Sequence, residues 1–149
     1  MQSAELEYQA KPIKLLEKEL QKLVKQALKV RKRAYAPYSK YLVGCALSDS
    51  RGKIFTGCNV ENASYPAGLC AERTAVVKMI SEGGKHIREI VLVGSSTDPV
   101  LPCGMCRQVL QEFGVKSRVT SVSPDGARFI QVPFSALFPF GFTPDKLST

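Results

Sequence analysis

The chain has 149 residues, of which 44% are hydrophobic, and carries a net charge of +8 and five cysteines. A chain of this size buries the core of one domain without disulfide bonds. Residues 1–10 contain no long apolar run, and no later segment approaches the roughly 20 apolar residues of a membrane span, so we expect a soluble, cytoplasmic protein with no membrane partner. In that reducing compartment, cysteines serve metal binding or catalysis.

The first predicted element is one amphipathic helix over residues 12–34, in which apolar side chains recur at helical spacing. Residues 1–40 hold ten basic and four acidic side chains, so most of the excess charge lies there and the rest of the chain is nearly neutral. A basic helix can mark a nucleic-acid or membrane contact. Because Glu17 and Glu19 alternate with its lysines, the pattern favours a solvated outer face.

Two strand-like runs, 42–47 and 54–58, flank a polar turn and predict a β-hairpin. The elements expected after it are a helix over 70–80, a buried strand over 90–93, a helix over 103–113 and two strands over 118–122 and 128–132. The last two strands should pair antiparallel, because only a short turn joins them. The alternation of strands and helices predicts a layered α/β fold with a mixed sheet, in a single domain of residues 1–149.

Cys103 and Cys106 lie three positions apart at a predicted helix start, where unpaired backbone N–H groups favour thiolates. Taken alone, this pair could also be a redox dithiol. Catalytic zinc takes three protein ligands and leaves one position for water. Cys70 opens the other helix at the same expected edge of the sheet, and is the natural third ligand.

Glu72 follows Cys70 by two residues and is the candidate general acid/base, although a first-turn glutamate can also be a simple complement to the helix dipole. Cys-Ala-Glu followed some thirty residues later by Pro-Cys-x-x-Cys resembles zinc deaminases, which have a Pro-Cys-x-x-Cys signature, a three-cysteine variant and a glutamate that is not a ligand. His86, the single histidine, follows two glycines and fits a surface role, which leaves three cysteines as ligands. Cys45 and Cys58, on predicted strands, are interpreted as small buried hydrophobes.

These motifs resemble the small homotetrameric cytidine deaminase family over nearly the whole chain, from Pro37-Tyr38-Ser39 to Phe142-Thr143-Pro144. Residues 70–73 match its Cys-Ala-Glu-Arg block and residues 102–108 its Pro-Cys-Gly-x-Cys-Arg-Gln block. The resemblance implies a three-layer α/β/α cytidine-deaminase-like fold with a mixed five-stranded sheet. It also implies one Zn²⁺ per subunit and a homotetramer whose active sites are completed by neighbouring subunits.

The resemblance assigns binding roles as well. Asn59 and Glu61 correspond to residues that hydrogen-bond the sugar 3′-hydroxyl, and the backbone N–H of Ala71 to the group that holds the base O2. Arg73 corresponds to the arginine that hydrogen-bonds the zinc thiolates.

The base would stack between Tyr41 and a Phe142 donated by a neighbouring subunit, from the aromatic tail of residues 135–149. Tyr41 stands where the family usually has Phe, and Thr143 where it has Gly, so the stacking geometry departs from the family pattern.

The implied reaction is hydrolytic deamination of free cytidine and deoxycytidine to uridine and deoxyuridine plus ammonia, in pyrimidine salvage. Zinc lowers the pKa of its water, Glu72 takes the proton and delivers it to N3, and zinc-bound hydroxide attacks C4. The alternatives are a polynucleotide cytosine deaminase, a blasticidin-type antibiotic deaminase and a structural zinc module. The three-cysteine set, the terminal hairpin and Glu61 disfavour nucleic acid as a partner.

Overall fold

The computed structural model describes residues 9–114 and 118–147. Its strands and α-helices are, in chain order, β1 (Lys11–Pro12), α1 (Lys18–Arg31), β2 (Gly44–Asp49), β3 (Ile54–Cys58), α2 (Ala71–Ser81), β4 (Ile87–Val93), α3 (Gly104–Gly114), β5 (Arg118–Val122), β6 (Arg128–Pro133) and α4 (Phe134–Leu137). Short 3₁₀ turns lie at Ile13–Leu15, Tyr65–Ala67 and Pro144–Leu147. No helix among the described residues is long and apolar enough to cross a bilayer.

The strands form one mixed sheet in the order β1-β6-β5-β4-β2-β3. β4 and β5 pair in parallel with α3 as their crossover, while β2 pairs antiparallel with β3 and β5 with β6. Both predicted hairpins are thus confirmed. The sheet has six strands rather than the expected five, because Lys11 and Pro12 pair with β6. A strand of two residues is too short to leave a periodic signal in the sequence.

Helices cover both faces of this sheet, which confirms the three-layer α/β/α fold. On one face, α1 buries an apolar stripe of Leu20, Leu23, Val24 and Ala27 against strand residues that include Ala46, Val91, Val93, Val122 and Phe129. On the other face, residues of α2, α3 and α4 pack against Cys45, Leu47, Phe55, Ile90, Val119 and Val132. The predicted burial of Cys45 is confirmed, whereas Cys58 is half-buried and His86 is exposed.

The first helix is shorter than expected, because it covers Lys18–Arg31 instead of residues 12–34. A 3₁₀ turn precedes it, and Leu16 is extended, with a ψ of 140°. Ile13 and Leu16 nevertheless pack on the same face of the sheet as the helix. Their spacing therefore continues the helical pattern of apolar residues, although their backbone is not α-helical.

Two strand glycines allow helices to approach the sheet closely. A Cβ on Gly57 of β3 would clash with the Ala71 carbonyl and the Ala75 nitrogen of α2. On the other face, a Cβ on Gly44 of β2 would clash with the Ala27 carbonyl of α1. The first contact fixes where α2 begins, and the second brings the end of α1 against the start of β2.

The aromatic tail is only partly buried within its own chain. Phe138 packs beside Phe134, with ring centroids 6.5 Å apart. Phe140 is fully exposed, and Phe142 is 55% exposed. Two of the three tail phenylalanines thus face outward in the isolated chain.

Candidate active site

Three cysteine thiols meet where α2 and α3 begin. Cys70 is the residue that caps α2, Cys103 directly precedes α3, and Cys106 lies in the first turn of α3. Their sulfur atoms lie within 4.8 Å of one another, and the Sγ atoms of Cys70 and Cys103 are 3.8 Å apart. The structure therefore brings together all three of the ligands predicted from the sequence.

This donor set fits an open zinc site. Thiolates are preferred zinc ligands, and three protein ligands leave one coordination position for water. Among the described residues, no further His, Cys, Asp or Glu completes the cluster to four. Cys106 is buried, whereas Cys103 is exposed. A structural zinc site would instead be closed by a fourth ligand.

The thiols do not ionise alike. A hydrogen bond from Cys106, followed by smaller contributions from Cys103 and Arg73, lowers the pKa of Cys70 to about 5 against the opposing effect of burial. The hydrogen bond between Cys106 and Cys70 raises the pKa of Cys106, and burial raises it further. A first thiolate thus forms readily at Cys70, and a bound dication is needed to keep all three thiols deprotonated.

Arg73 supplies a nearby positive charge. Its Nη2 donates to the Gly68 carbonyl at 2.7 Å. Its Nε is buried without a hydrogen-bond partner in the described structure. An orphaned guanidinium donor beside thiolates supports its predicted role as a hydrogen-bond donor to the ligand sulfurs.

Glu72 lies in the first turn of α2 and is 5% exposed. Burial raises the pKa of Glu72 to about 7, with a smaller contribution from repulsion by the Cys70 thiolate. A carboxyl group that titrates near neutrality can both accept and release a proton at physiological pH. Ala71, just before it, is the first residue of the helix, so its N–H has no acceptor within the helix.

A pocket of about 800 Å³ opens over these groups. Its lining includes Cys70, Ala71, Glu72 and Cys103, together with Tyr41, Val43, Asn59 and Glu61. The structure therefore brings the predicted sugar-binding pair and Tyr41 to the same cavity as Cys70 and Cys103. Phe142 is not among the lining residues of its own chain's pocket.

The Asn59 amide is held by two backbone bonds. Its Oδ1 accepts from the Val43 N–H at 2.8 Å, and its Nδ2 donates to the Tyr41 carbonyl at 2.8 Å. These two partners fix which side-chain atom is oxygen and which is nitrogen. One Nδ2 hydrogen and one Oδ1 lone pair stay available to a ligand.

The Glu61 carboxylate accepts from the backbone N–H groups of Tyr38 and Ser39, at 2.9 and 3.2 Å, and from the Ser39 hydroxyl. These bonds, led by the Ser39 hydroxyl, lower the pKa of Glu61 against the effect of burial. Glu61 is therefore ionised at neutral pH and acts as a hydrogen-bond acceptor.

Sequence reasoning missed several residues that support the pocket. Ser39 holds Glu61, and the extra hydroxyl of Tyr41 lies 2.7 Å from Ser96 Oγ. Arg31 and Ser95 form hydrogen bonds with the backbone of Leu42, next to Tyr41. Ser39 belongs to the Pro37-Tyr38-Ser39 segment of the resemblance, but its bond to Glu61 was not predicted, and Ser95 and Ser96 belong to no motif or periodic pattern.

Comparison with known proteins agrees with this site. A sequence model of the cytidine and deoxycytidylate deaminase zinc-binding region matches residues 17–122. A cytidine deaminase of Sporosarcina psychrophila is 38% identical over 130 residues, which cover 87% of this chain and 96% of the relative. A probable cytidine deaminase of Dictyostelium discoideum is 46% identical over 114 residues, covering 76% of this chain and 77% of the relative.

Solved structures give the same result. The crystal structure of cytidine deaminase from Burkholderia pseudomallei has a TM-score of 0.78 at 40% identity, covering 82% of this chain and 98% of that one. The enzyme from Mycobacterium tuberculosis has a TM-score of 0.71 at 34% identity, covering 85% and 99%. With three cysteine thiols in place for the metal, the chain belongs to the zinc-dependent cytidine deaminases, which are hydrolytic enzymes.

Proposed function

We propose that this deaminase converts free cytidine and deoxycytidine to uridine and deoxyuridine, with release of ammonia, in pyrimidine salvage. The observation that carries the proposal is the position of the buried Glu72 carboxyl beside three thiols in a pocket that also holds Asn59 and Glu61. One set of lining residues, the metal end, offers groups for hydrolysis, and the other set, the sugar end, offers a donor and an acceptor suited to a sugar hydroxyl.

At the reactive end, Cys70, Cys103 and Cys106 would hold the zinc, which supplies Lewis-acid activation of a water molecule. Glu72 accepts a proton from the attacking water and delivers it to N3 of the base. After water has added to C4, Glu72 takes the second proton from the new C4 hydroxyl and passes it to the amino group, so that the C4–N bond breaks, the C4 carbonyl forms and ammonia leaves. The free N–H of Ala71 is suited to hold the base O2 while this happens.

At the sugar end, the 3′-hydroxyl would donate to the Glu61 carboxylate and accept from the remaining Nδ2 hydrogen of Asn59. A phosphate at the same position would place further negative charge against an ionised carboxylate. This repulsion supports a free nucleoside over an internal nucleotide of RNA or DNA.

We also propose that the active enzyme is a homotetramer in which neighbouring subunits complete each pocket. The exposure of Phe140 and Phe142 supports this assembly, because large exposed apolar side chains mark contact surfaces. Gln108 Nε2 donates to the Phe142 carbonyl at 3.0 Å and so ties the tail to α3. The Phe142 ring is thereby presented outward, as donation to a neighbour requires.

A single spectrophotometric assay tests the substrate. Loss of the cytosine absorbance is followed with cytidine, deoxycytidine, cytidine 5′-monophosphate and a short cytosine-containing oligonucleotide. We expect turnover of the two nucleosides only. Turnover of the oligonucleotide at a comparable rate would overturn the proposal in favour of a polynucleotide deaminase.

A further inference from the structure

Residues 41–43 form a wall of the pocket immediately before β2, and Tyr41 and Val43 line the cavity. Each backbone N–H and carbonyl of these three residues has a partner. Most of the partners are side chains, contributed by Arg31, Ser39, Asn59 and Ser95. The position of the wall is therefore set by polar contacts and not by strand pairing.

One side of the wall is bonded to the proposed sugar-binding residue. Asn59 bonds the Tyr41 carbonyl and the Val43 N–H through its side chain, and its own N–H donates to the Val43 carbonyl at 3.3 Å. A shift of the wall therefore moves the Asn59 amide and the Tyr41 ring together.

The other side of the wall is bonded at Leu42. Ser95 Oγ accepts from the Leu42 N–H at 2.8 Å and donates to the Leu42 carbonyl at 2.9 Å. Arg31 donates from Nε to the same carbonyl at 3.2 Å and from Nη2 to Ser95 Oγ at 3.1 Å. The Ser95 hydroxyl thus uses its one hydrogen and both lone pairs in this network.

Arg31 reaches this position from the opposite layer of the fold. It is the last residue of α1, which covers the sheet face away from α2 and α3. A Cβ on Gly44 would clash with Arg31 itself, so the glycine allows the last turn of α1 to approach the wall. Neither Arg31 nor Ser95 lines the pocket, so any effect on a ligand is indirect, and the contact that the two residues share is the Leu42 backbone.

We propose that Arg31 and Ser95 are positioning residues that hold the backbone of Leu42 and so set Asn59 and Tyr41 for nucleoside binding. The inference rests on the proposed sugar-binding role of Asn59. Arginine suits the task because its planar fork bonds the Leu42 carbonyl and Ser95 at once, which a single ammonium group does not reproduce.

Steady-state kinetics of the zinc-loaded enzyme with cytidine test this proposal. We expect Arg31→Ala and Ser95→Ala each to raise KM about tenfold while kcat stays within about twofold, which is the signature of lost ground-state binding. Zinc content should stay at about one per chain, because the cysteine cluster lies on other elements. Ser95→Thr, which keeps the hydroxyl, should restore most of the affinity, and Arg31→Lys only part of it.

The double variant gives a sharper result. Because both residues act through one backbone unit, Arg31→Ala combined with Ser95→Ala should raise KM about as much as either change alone. A product of the two separate effects, roughly a hundredfold, would overturn a shared role.

Two control variants separate the positioning of Leu42 from a general destabilisation of α1. Lys32→Ala, at an exposed site next to Arg31, should leave the kinetics unchanged. Val24→Ala, in the buried stripe, should lower Tm without raising KM. The proposal fails if Arg31→Ala leaves KM unchanged, or if Val24→Ala raises KM equally. An inactive wild-type enzyme towards cytidine would instead overturn the proposed function.

Discussion

The two ends of the pocket hold their functional groups in different ways. At the metal end, Cys70, Glu72 and Cys106 lie at the starts of helices that pack on the sheet, and the close contact at Gly57 fixes one of them. At the sugar end, Asn59 and Glu61 lie in a loop and are held by side-chain hydrogen bonds to neighbouring loop backbone. Core packing therefore positions the metal-binding thiols and Glu72, and a polar network positions the residues proposed to bind the sugar. Changes at the metal end should abolish turnover, whereas changes at the sugar end should raise KM.

The largest effect is expected from loss of a zinc ligand. Cys103→Ala should release most of the zinc and lower kcat at least about a thousandfold, because Lewis-acid activation contributes several kcal/mol to barrier lowering. Metal analysis and cytidine turnover on the same sample measure both. Cys58→Ala, a half-buried thiol outside the cluster, is the matched control and should keep zinc and activity. Full zinc content in Cys103→Ala would contradict the ligand assignment.

A smaller effect is expected at the sugar end. Glu61→Gln keeps the size of the side chain but removes the charged acceptor, so KM for cytidine should rise about tenfold with little change in kcat. With 3′-deoxycytidine, the wild type and this variant should have similar KM values, because the hydroxyl in question is absent.

Glu112→Gln, at an exposed site on α3, serves as the control for Glu61→Gln and should behave as the wild type. The sugar-binding role of Glu61 would be refuted by an unchanged KM for cytidine. Equal losses with cytidine and 3′-deoxycytidine would refute it too.

The tail should contribute less. If Phe142 stacks on a base in a neighbour's pocket, Phe142→Ala should raise KM about fivefold, at the low end of base–aromatic stacking, and leave zinc in place. Leu147→Ala, an exposed tail residue, is the control. Sizing chromatography completes the test, and an active monomer with normal KM would contradict the shared pocket.

The smallest effect is expected at the basic face of α1. Lys22, Lys25 and Lys29 are exposed on the helix that covers the far face of the sheet. Replacing all three with Gln should leave kcat/KM for cytidine within about twofold and relieve like-charge repulsion along the helix. A tenfold loss towards cytidine would show that this face takes part in the reaction.

The metal end was predictable from the sequence, because helix starts leave local signals. Cys103 and Cys106 share one helix face by spacing alone, and the Cys-Ala-Glu run opens a helix that ends near two glycines. Strand β3 was predicted with its observed bounds because its residues are typical of strands and flank a turn.

The sugar end was predictable only in part. The resemblance named Asn59 and Glu61, but Arg31 and Ser95 are 64 positions apart in sequence and of common residue types. Hydrogen bonds between residues far apart in sequence follow from the finished fold and leave no periodic pattern. The early start predicted for α1 failed for a related reason, since Leu16 packs beside the helix without belonging to it.

The most direct test of the account is to measure zinc content and cytidine turnover together on Glu72→Gln. If Glu72 carries protons and is not a ligand, as proposed, about one zinc per chain should remain and kcat should fall about a thousandfold. Turnover close to that of the wild type in this zinc-loaded variant would contradict the role of Glu72 as the proton carrier.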